Sequence, residues 1–141
     1  MTHVIEADGL TKFYGSTLGI EDLDLSVEPG EVFGFIGPNG AGKTTTIRTL
    51  LDLIFPTGGH ARIFGLDTHA ESREIKRSVG YLPSDDYFYA GMTGGELLEY
   101  SVRIRRLDRG QFRTRIDELA KRPDLDLDTK IKSLSRGNRR K

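Results

Sequence analysis

The segment Gly37-Pro38-Asn39-Gly40-Ala41-Gly42-Lys43-Thr44 is the strongest indication of fold class in this 141-residue chain. It fits the pattern G-x-x-x-x-G-K followed by Ser or Thr, in which glycines let a loop wrap closely around an anion. Before it, the apolar run at residues 32–36 predicts a strand that is buried on both faces. After it, a helix is predicted over residues 43–55, with an apolar stripe of Ile47, Leu50, Leu51 and Ile54. This strand-loop-helix order predicts an α/β fold with a phosphate-binding loop.

Each residue type in this loop has a chemical task. The glycines allow several backbone N–H groups to converge on one phosphate, and the positive end of the following helix points at the same anion. Lys43 is placed to reach the β- and γ-phosphates of a nucleotide, and the Thr44 hydroxyl is a ligand for Mg²⁺. A glycine-rich turn that binds nothing would not explain Lys43-Thr44 at this offset.

Short strands are predicted on both sides of the loop. Their apolar residues alternate or cluster over four or five positions, as in half-buried strands. A turn is expected at Glu28-Pro29-Gly30-Glu31, where proline fixes one backbone angle and glycine accepts a positive φ. The predicted strands cover residues 4–7, 23–27, 61–64 and 79–82.

The region after residue 92 has the pattern of helices. Thr93-Gly94-Gly95-Glu96 has the spacing of a capping box, and Asp108 and Gln111 repeat it. The first predicted helix has one side formed by Leu97, Ser101, Ile104 and Leu107, and the second has a stripe of Phe112, Ile116, Leu119 and Ala120. These patterns predict a helical subdomain that follows the strand-rich part.

Composition excludes several classes of protein. The chain has no cysteine, so it contains no disulfide and no zinc-thiolate site. Its 21 basic and 21 acidic residues balance, although residues 101–141 hold fourteen basic and only six acidic side chains. No aromatic-rich stacking surface accompanies that basic part, so nucleic acid is not an expected partner. No apolar run approaches the roughly 20 residues of a membrane span, and we expect a cytoplasmic location.

The sequence of this loop resembles the Walker A motif of ABC-type ATPases. Upstream, Leu10-Thr11-Lys12-Phe13-Tyr14-Gly15 resembles the A-loop of that family, whose aromatic residue stacks on adenine and corresponds to Tyr14. The resemblance implies an ATP site with bound Mg²⁺. The residues assigned to nucleotide binding are Tyr14, Gly37, Pro38, Asn39, Gly40, Ala41, Gly42, Lys43, Thr44 and Thr45, with Lys43 also stabilising transition-state charge.

Two later segments resemble other motifs of the family. Val79-Gly80-Tyr81-Leu82-Pro83 resembles the approach to the Q-loop, but Ser84 stands where the family has a glutamine that contacts Mg²⁺ and the attacking water. Serine is too short for the same contact, and Asp85 or Asp86 could replace it through water. Leu134-Ser135-Arg136-Gly137-Asn138 resembles the ABC signature, which acts on the nucleotide of an opposite subunit. The signature residues assigned to this role are Ser135, Gly137 and Asn138.

The resemblance implies a P-loop NTPase fold of the ABC type, with an antiparallel β part, a P-loop core and a helical subdomain. We expect the β part and core in residues 1–92, the helical subdomain in residues 93–134 and the start of the signature helix in residues 135–141. The family continues with a Walker B strand and a switch histidine, for which no match follows the loop here. The resemblance therefore implies a C-terminally incomplete domain that is inactive in hydrolysis by itself.

The implied function is that of the ATP-binding subunit of an ABC transporter of the exporter type. Its expected partners are a second nucleotide-binding domain, in a homodimer or heterodimer, and a transmembrane permease. The expected location is the inner face of the cell membrane, to which the permease would tie the chain. Two alternatives stay open at this point: a nucleotide-binding remnant that does not hydrolyse ATP, and a soluble ABC ATPase of DNA repair or translation.

Overall fold

A computed structural model describes residues 3–83, 89–121 and 126–135. The chain forms two compact units, residues 1–81 and residues 82–141. Among the described residues, the first holds a β-sheet and two α-helices, and the second holds two further α-helices. The division at residues 92 and 93 that the sequence suggests stays a prediction.

An antiparallel sheet of four strands organises the first unit. The strands are β1 (Ile5–Tyr14), β2 (Thr17–Val27), β3 (Gly58–Ile63) and β4 (Leu66–Asp67). Their order in the sheet is β2-β1-β3-β4, so β1 has a neighbour on each side. The strands predicted near residues 4–7, 23–27 and 61–64 are confirmed, and β1 and β2 are longer than predicted.

The turn at residues 28–31 also forms as predicted. The Glu31 N–H donates to the Glu28 carbonyl over 3.2 Å, and Gly30 between them has φ of 78°. That positive φ requires glycine at the third position of the turn.

Helix α1 (Lys43–Leu50) follows the glycine loop, and it is shorter than the predicted helix over residues 43–55. The chain leaves the helix at Leu51, and Asp52 has a φ of 51° in the left-handed region. The predicted apolar stripe is wrong at Ile47, which is 38% exposed, whereas Thr46, Thr49 and Leu50 are buried. The buried side of α1 differs from the predicted one because the close contact of its N-terminus with β2 fixes which side of the helix faces the sheet.

Residues 32–36 differ from the sequence prediction. They lie in an irregular segment, and Val32 and Ile36 are 99% and 94% exposed. A strand buried on both faces needs a neighbour that completes its hydrogen bonds and a layer that covers it. Among the described residues, the four-stranded sheet provides no such neighbour for this segment. The predicted strand over residues 79–82 is wrong for the same reason, since these residues pair with no strand of that sheet.

The core of the first unit lies between the sheet and its helices. Helix α1 packs on β2 and β3, and helix α2 (Ser72–Ser78) contributes Ile75, which is 2% exposed. The buried cluster consists of Ala7, Leu10, Ile20, Leu50, Ala61, Ile63 and Ile75.

The second unit contains helices α3 (Gly94–Arg105) and α4 (Arg109–Ala120) and a short 3₁₀ turn over Ile131–Ser133. The capping box of α3 is confirmed: Thr93 Oγ1 accepts from the Glu96 N–H over 3.2 Å, and Glu96 Oε2 accepts from the Thr93 N–H over 2.9 Å. The α4 stripe is confirmed as its half-buried side.

The predicted α3 stripe is wrong at Ile104 and Leu107, which are 62% and 42% exposed, whereas Leu97 and Ser101 are half-buried and Val102 is buried. Among the described helices, none is long and apolar enough to cross a membrane.

Candidate functional site

The glycine loop is open to solvent and is shaped by two glycines in the left-handed region. Gly40 and Gly42 have φ of 85° and 81°, and the Ala41 N–H donates to the Pro38 carbonyl over 3.2 Å. Residues 37–41 are exposed. The loop therefore curves at the start of α1 with its backbone accessible to a ligand.

Gly42 is the point at which this loop contacts the sheet. A Cβ atom at Gly42 would lie 2.5 Å from the Gly19 carbonyl oxygen and 2.5 Å from Ile20 Cγ2. No side chain fits at such distances, so glycine is required here by both space and backbone angle. The contact fixes the N-terminus of α1 against the first residues of β2.

Lys43 lies across the loop. Its Nζ donates to the carbonyl oxygens of Gly37 and Pro38, each over 2.6 Å. The ammonium group is thereby held at the mouth of the loop, next to exposed backbone. A bound phosphate would give this cation a charged partner, and hydrogen bonds to charged groups are stronger than those to neutral carbonyls.

The N-terminus of α1 has the features of an anion site. The N-cap is Gly42, which has no side chain to satisfy the first-turn N–H groups, and no acidic residue lies in that turn. The first N–H groups of an α-helix have no partner within the helix and carry its positive dipole end. Thr44 is exposed and Thr45 is half-buried at this end. The donor set fits a phosphate group.

Tyr14 lies at the end of β1, close to the start of α1. A Cβ atom at Gly19 would be 2.9 Å from Tyr14 Cε2 and 3.2 Å from Thr45 Cγ2, so the ring and the Thr45 methyl approach the same point. The ring is 47% exposed. An aromatic ring with free surface beside a phosphate-type loop is suited to stacking on a base.

Two neighbours of Tyr14 were not identified from the sequence. Lys12 Nζ lies 5.3 Å from the centroid of the Tyr14 ring, within the range of a cation–π contact. The contact with Lys12 could have been inferred from the sequence, because residues two apart on a strand share a face. The sequence pattern does not indicate the contact with Gly19, since that contact depends on which segments pack together.

The described residues supply few groups for a metal ion. Among them, no group of three or more histidine, aspartate or glutamate side chains could hold a metal. Instead, His3 contacts two carboxylates and the other two histidines contact one each, in the pairs His3–Glu6, His3–Glu28, His60–Asp8 and His69–Asp52. The exposed Thr44 hydroxyl remains a candidate ligand for Mg²⁺, which often takes most of its shell from phosphate oxygens and water.

Several predicted site residues lie outside the described residues. These are the Q-loop position Ser84, with Asp85 and Asp86, and the signature residues Gly137 and Asn138, with Arg136. Ser135 is described: it is exposed and follows the 3₁₀ turn and the half-buried Leu134. Within the second unit, the 3₁₀ turn is anchored by the Ile131 N–H, which donates to the Met92 carbonyl over 2.8 Å.

The other end of α1 carries a charged cluster. Asp52 Oδ1 lies 3.0 Å from His69 Nδ1, and its Oδ2 lies 3.9 Å from Lys76 Nζ. Burial acts to raise the pKa of Asp52, but hydrogen bonds from His69 and Ser72 and the charges of His69 and Lys76 outweigh it, so the pKa lies below its usual range. The cluster links the end of α1 to helix α2.

Comparison with known proteins places this fold in a family. The family model described as "ABC transporter" matches residues 20–141. The bacitracin transport ATP-binding protein BcrA of Bacillus licheniformis is 39% identical over 130 residues, which cover 92% of this chain and 42% of BcrA. The Nod factor export ATP-binding protein I of Cupriavidus metallidurans is 34% identical over 143 residues, covering 100% and 47% of the two chains.

The chain spans less than half the length of these two relatives. Among solved structures, an ATP-binding subunit of an ABC transporter superposes with a TM-score of 0.82 and 27% identity, over 96% of this chain and 57% of that one. Sequence and structure agree, and this chain belongs to the ABC transporter family of ATP-binding proteins.

Proposed function

We propose that the chain is the nucleotide-binding part of an ABC transporter subunit and that it binds ATP at the glycine loop. The observation that carries this proposal is the contact of Gly42 with Gly19, which brings the loop and the Tyr14 ring to neighbouring points on β2. A phosphate-type loop and an exposed aromatic ring beside the same strand are the kinds of group that bind the two ends of a nucleotide.

The phosphate end of ATP is bound by the loop and the start of α1. The uncapped N–H groups at Gly42 and in the first turn donate to phosphate oxygens, while Lys43 exchanges the carbonyls of Gly37 and Pro38 for the β- and γ-phosphates. The loop exposes its backbone to solvent, so the ligand enters without a large rearrangement.

The base end is bound by Tyr14. Stacking on an aromatic ring contributes about 1–3 kcal/mol per base and depends little on which base it is. Tyr14 therefore adds affinity for a nucleotide over inorganic triphosphate more than it selects adenine.

Mg²⁺ would be held by the Thr44 hydroxyl together with phosphate oxygens. At the second position that the family resemblance assigns, Ser84 stands in place of the family's glutamine and is too short to contact the ion in the same way. When bound, the ion neutralises charge on the phosphates that react. Lys43 would orient the terminal phosphate and stabilise the charge that develops on it during hydrolysis.

A second nucleotide-binding domain is the partner that the signature residues require. Ser135, Gly137 and Asn138 would contact the nucleotide of that second domain, which is another copy of the same protein or a related chain. ATP would then join the two domains. Analytical ultracentrifugation with and without ATP tests this step, since ATP should increase the apparent mass.

A transmembrane permease is the other proposed partner, and the transport direction is export. The name of one relative refers to Nod factor export, and that of another refers to bacitracin transport. Tyr100, Ile104 and Leu107 form an exposed apolar stripe along α3 and just beyond it, which is suited to contact with a second protein. The proposed location is therefore the inner face of the membrane, next to the permease.

Isothermal titration calorimetry with ATP tests the site itself. The native chain should bind ATP with Mg²⁺ present, and Lys43→Ala should weaken binding about tenfold or more because a charge-assisted hydrogen bond to phosphate is lost. Lys121→Ala, which removes an exposed lysine outside the loop, is the matched control and should bind as the native chain does. Absence of binding by the folded native chain, or equal affinities for native and Lys43→Ala, would contradict the proposal.

A further inference from the structure

The last residues of β1, which end in Tyr14, receive unequal support from the two neighbouring strands. On one side, the pairing of β1 with β3 ends at Thr11 and Gly58. On the other side, the pairing with β2 continues to Tyr14 and Thr17. The N–H of Phe13 thus lies beyond the ordinary ladder between β1 and β3.

Thr57, the residue before β3, replaces the missing part of that ladder. Its Oγ1 accepts a hydrogen bond from the Phe13 N–H over 3.1 Å and donates to the Thr11 carbonyl over 3.3 Å. Its own N–H donates to the same carbonyl over 2.8 Å. One side chain therefore extends the sheet by two residues, up to the position directly before Tyr14.

The β2 side of this segment is irregular. Lys12 pairs with Ile20, but Phe13 pairs with Leu18, which leaves Gly19 as an extra residue between them. Such a bulge locally disrupts the ladder and bends the strand. Because the β2 side is interrupted at Gly19, the hydrogen bond from Phe13 to Thr57 has more influence on the direction of the strand end.

The position of the Tyr14 ring depends on the direction in which β1 ends. Its Cε2 approaches Gly19 within the space that a Cβ atom would fill, next to the Thr45 methyl group at the start of α1. A change in the β1 backbone at Phe13 would move the ring away from α1 while leaving the loop at residues 37–44 untouched, since Thr57 makes its hydrogen bonds to Thr11 and Phe13.

We propose that Thr57 is a positioning residue for Tyr14: its hydroxyl fixes the end of β1 so that the ring is held at the right distance from the phosphate loop. This inference rests on the proposed function, because it explains how base affinity is added to phosphate affinity. Thr57 itself need not contact the nucleotide.

Three variants of the chain test the proposal by calorimetry with two probes, ATP and inorganic tripolyphosphate. Thr57→Val keeps the shape of the side chain but removes its hydroxyl, and it should weaken ATP binding about three- to tenfold, as expected for one lost hydrogen bond. Tripolyphosphate affinity should change by less than about twofold, because no loop contact is altered. Thr57→Ser should restore ATP affinity. Thr114→Val removes an exposed threonine hydroxyl on α4 and should change neither affinity.

A second measurement needs no nucleotide. Nuclear Overhauser contacts between the Tyr14 ring and the Thr45 methyl should be present in the native chain, weakened in Thr57→Val and restored in Thr57→Ser. If the native chain binds no ATP but these contacts follow the hydroxyl, the proposed function fails and the positioning role stands. Unchanged contacts, equal losses for both probes as unfolding would cause, or no rescue by serine would overturn the role of Thr57.

Discussion

Gly40 and Gly42 have almost the same backbone angle but different surroundings. Their φ values are 85° and 81°, yet a Cβ atom at Gly40 would meet nothing within 4 Å, while one at Gly42 would meet the Gly19 carbonyl at 2.5 Å. At Gly40 the requirement is conformational only. At Gly42 it is conformational and steric, because this residue forms the contact between the loop and β2.

This pair allows the two costs to be separated. Gly40→Ala should lower the free energy of unfolding by about 1–2 kcal/mol, the cost of a left-handed conformation for a residue with a Cβ atom. Gly42→Ala should lower it by about 3 kcal/mol or more, because the backbone of α1 or β2 must also move. Urea unfolding followed by circular dichroism measures both. An equal loss of unfolding free energy in the two variants would contradict this prediction, because it would mean that the backbone near Gly19 moves aside at no extra cost.

At the scale of elements, capping and packing affect the helices in different ways. The start of α3 follows local rules, since Thr93 and Glu96 satisfy each other's backbone N–H groups. The side of α1 that is buried follows tertiary contacts instead: Thr46 and Thr49 face inward and direct their hydroxyls to the carbonyls of Gly42 and Thr45. Buried threonines are tolerated because those hydrogen bonds are made within the helix.

The capping box gives a prediction for α3. Thr93→Ala should lower the free energy of unfolding by about 1 kcal/mol, because the Glu96 N–H loses its acceptor. The matched variant is Thr114→Ala, in the exposed part of α4, whose hydroxyl bonds the Gly110 carbonyl and caps no helix. Thermal unfolding should separate the two variants. A Thr114→Ala chain that is as destabilised as Thr93→Ala would contradict the assignment of the cap.

On the scale of the whole molecule, segment 32–36 leaves apolar side chains exposed that would be buried if the segment were a central strand of an α/β sheet. Val32 and Ile36 are almost fully exposed, while Ile63, in the sheet, is 4% exposed. Exposed apolar surface of this kind favours association with other proteins.

Serine at both positions of this segment should therefore change solubility and not stability. Val32→Ser with Ile36→Ser should lower binding of an apolar fluorescent dye and slow aggregation. The free energy of unfolding should change by less than about 0.5 kcal/mol, as for surface substitutions. Ile63→Ala, the buried comparison, should cost about 2–5 kcal/mol. A double serine variant as unstable as Ile63→Ala would mean that segment 32–36 is packed in solution.

Features that depend on residues close together in the chain can be predicted from the amino-acid sequence. The order of glycines and Lys43 predicted the loop, the Thr93–Glu96 spacing predicted the cap of α3, and apolar alternation predicted three strands of the sheet. These follow from local rules of backbone angle, side-chain reach and period. The resemblance to the ABC family also rests on short sequence motifs, and the comparisons with known proteins confirm it.

Features that depend on which segments pack against each other follow from the three-dimensional fold. Residues 32–36 have the composition of a buried strand but lack a neighbour among the described residues, since a strand needs a partner for its hydrogen bonds. Three features depend on how α1 and β3 pack against β1 and β2. They are the buried side of α1, the position of the Tyr14 ring and the hydrogen bonds of Thr57. No periodicity records such contacts, because they join residues that lie far apart in the sequence.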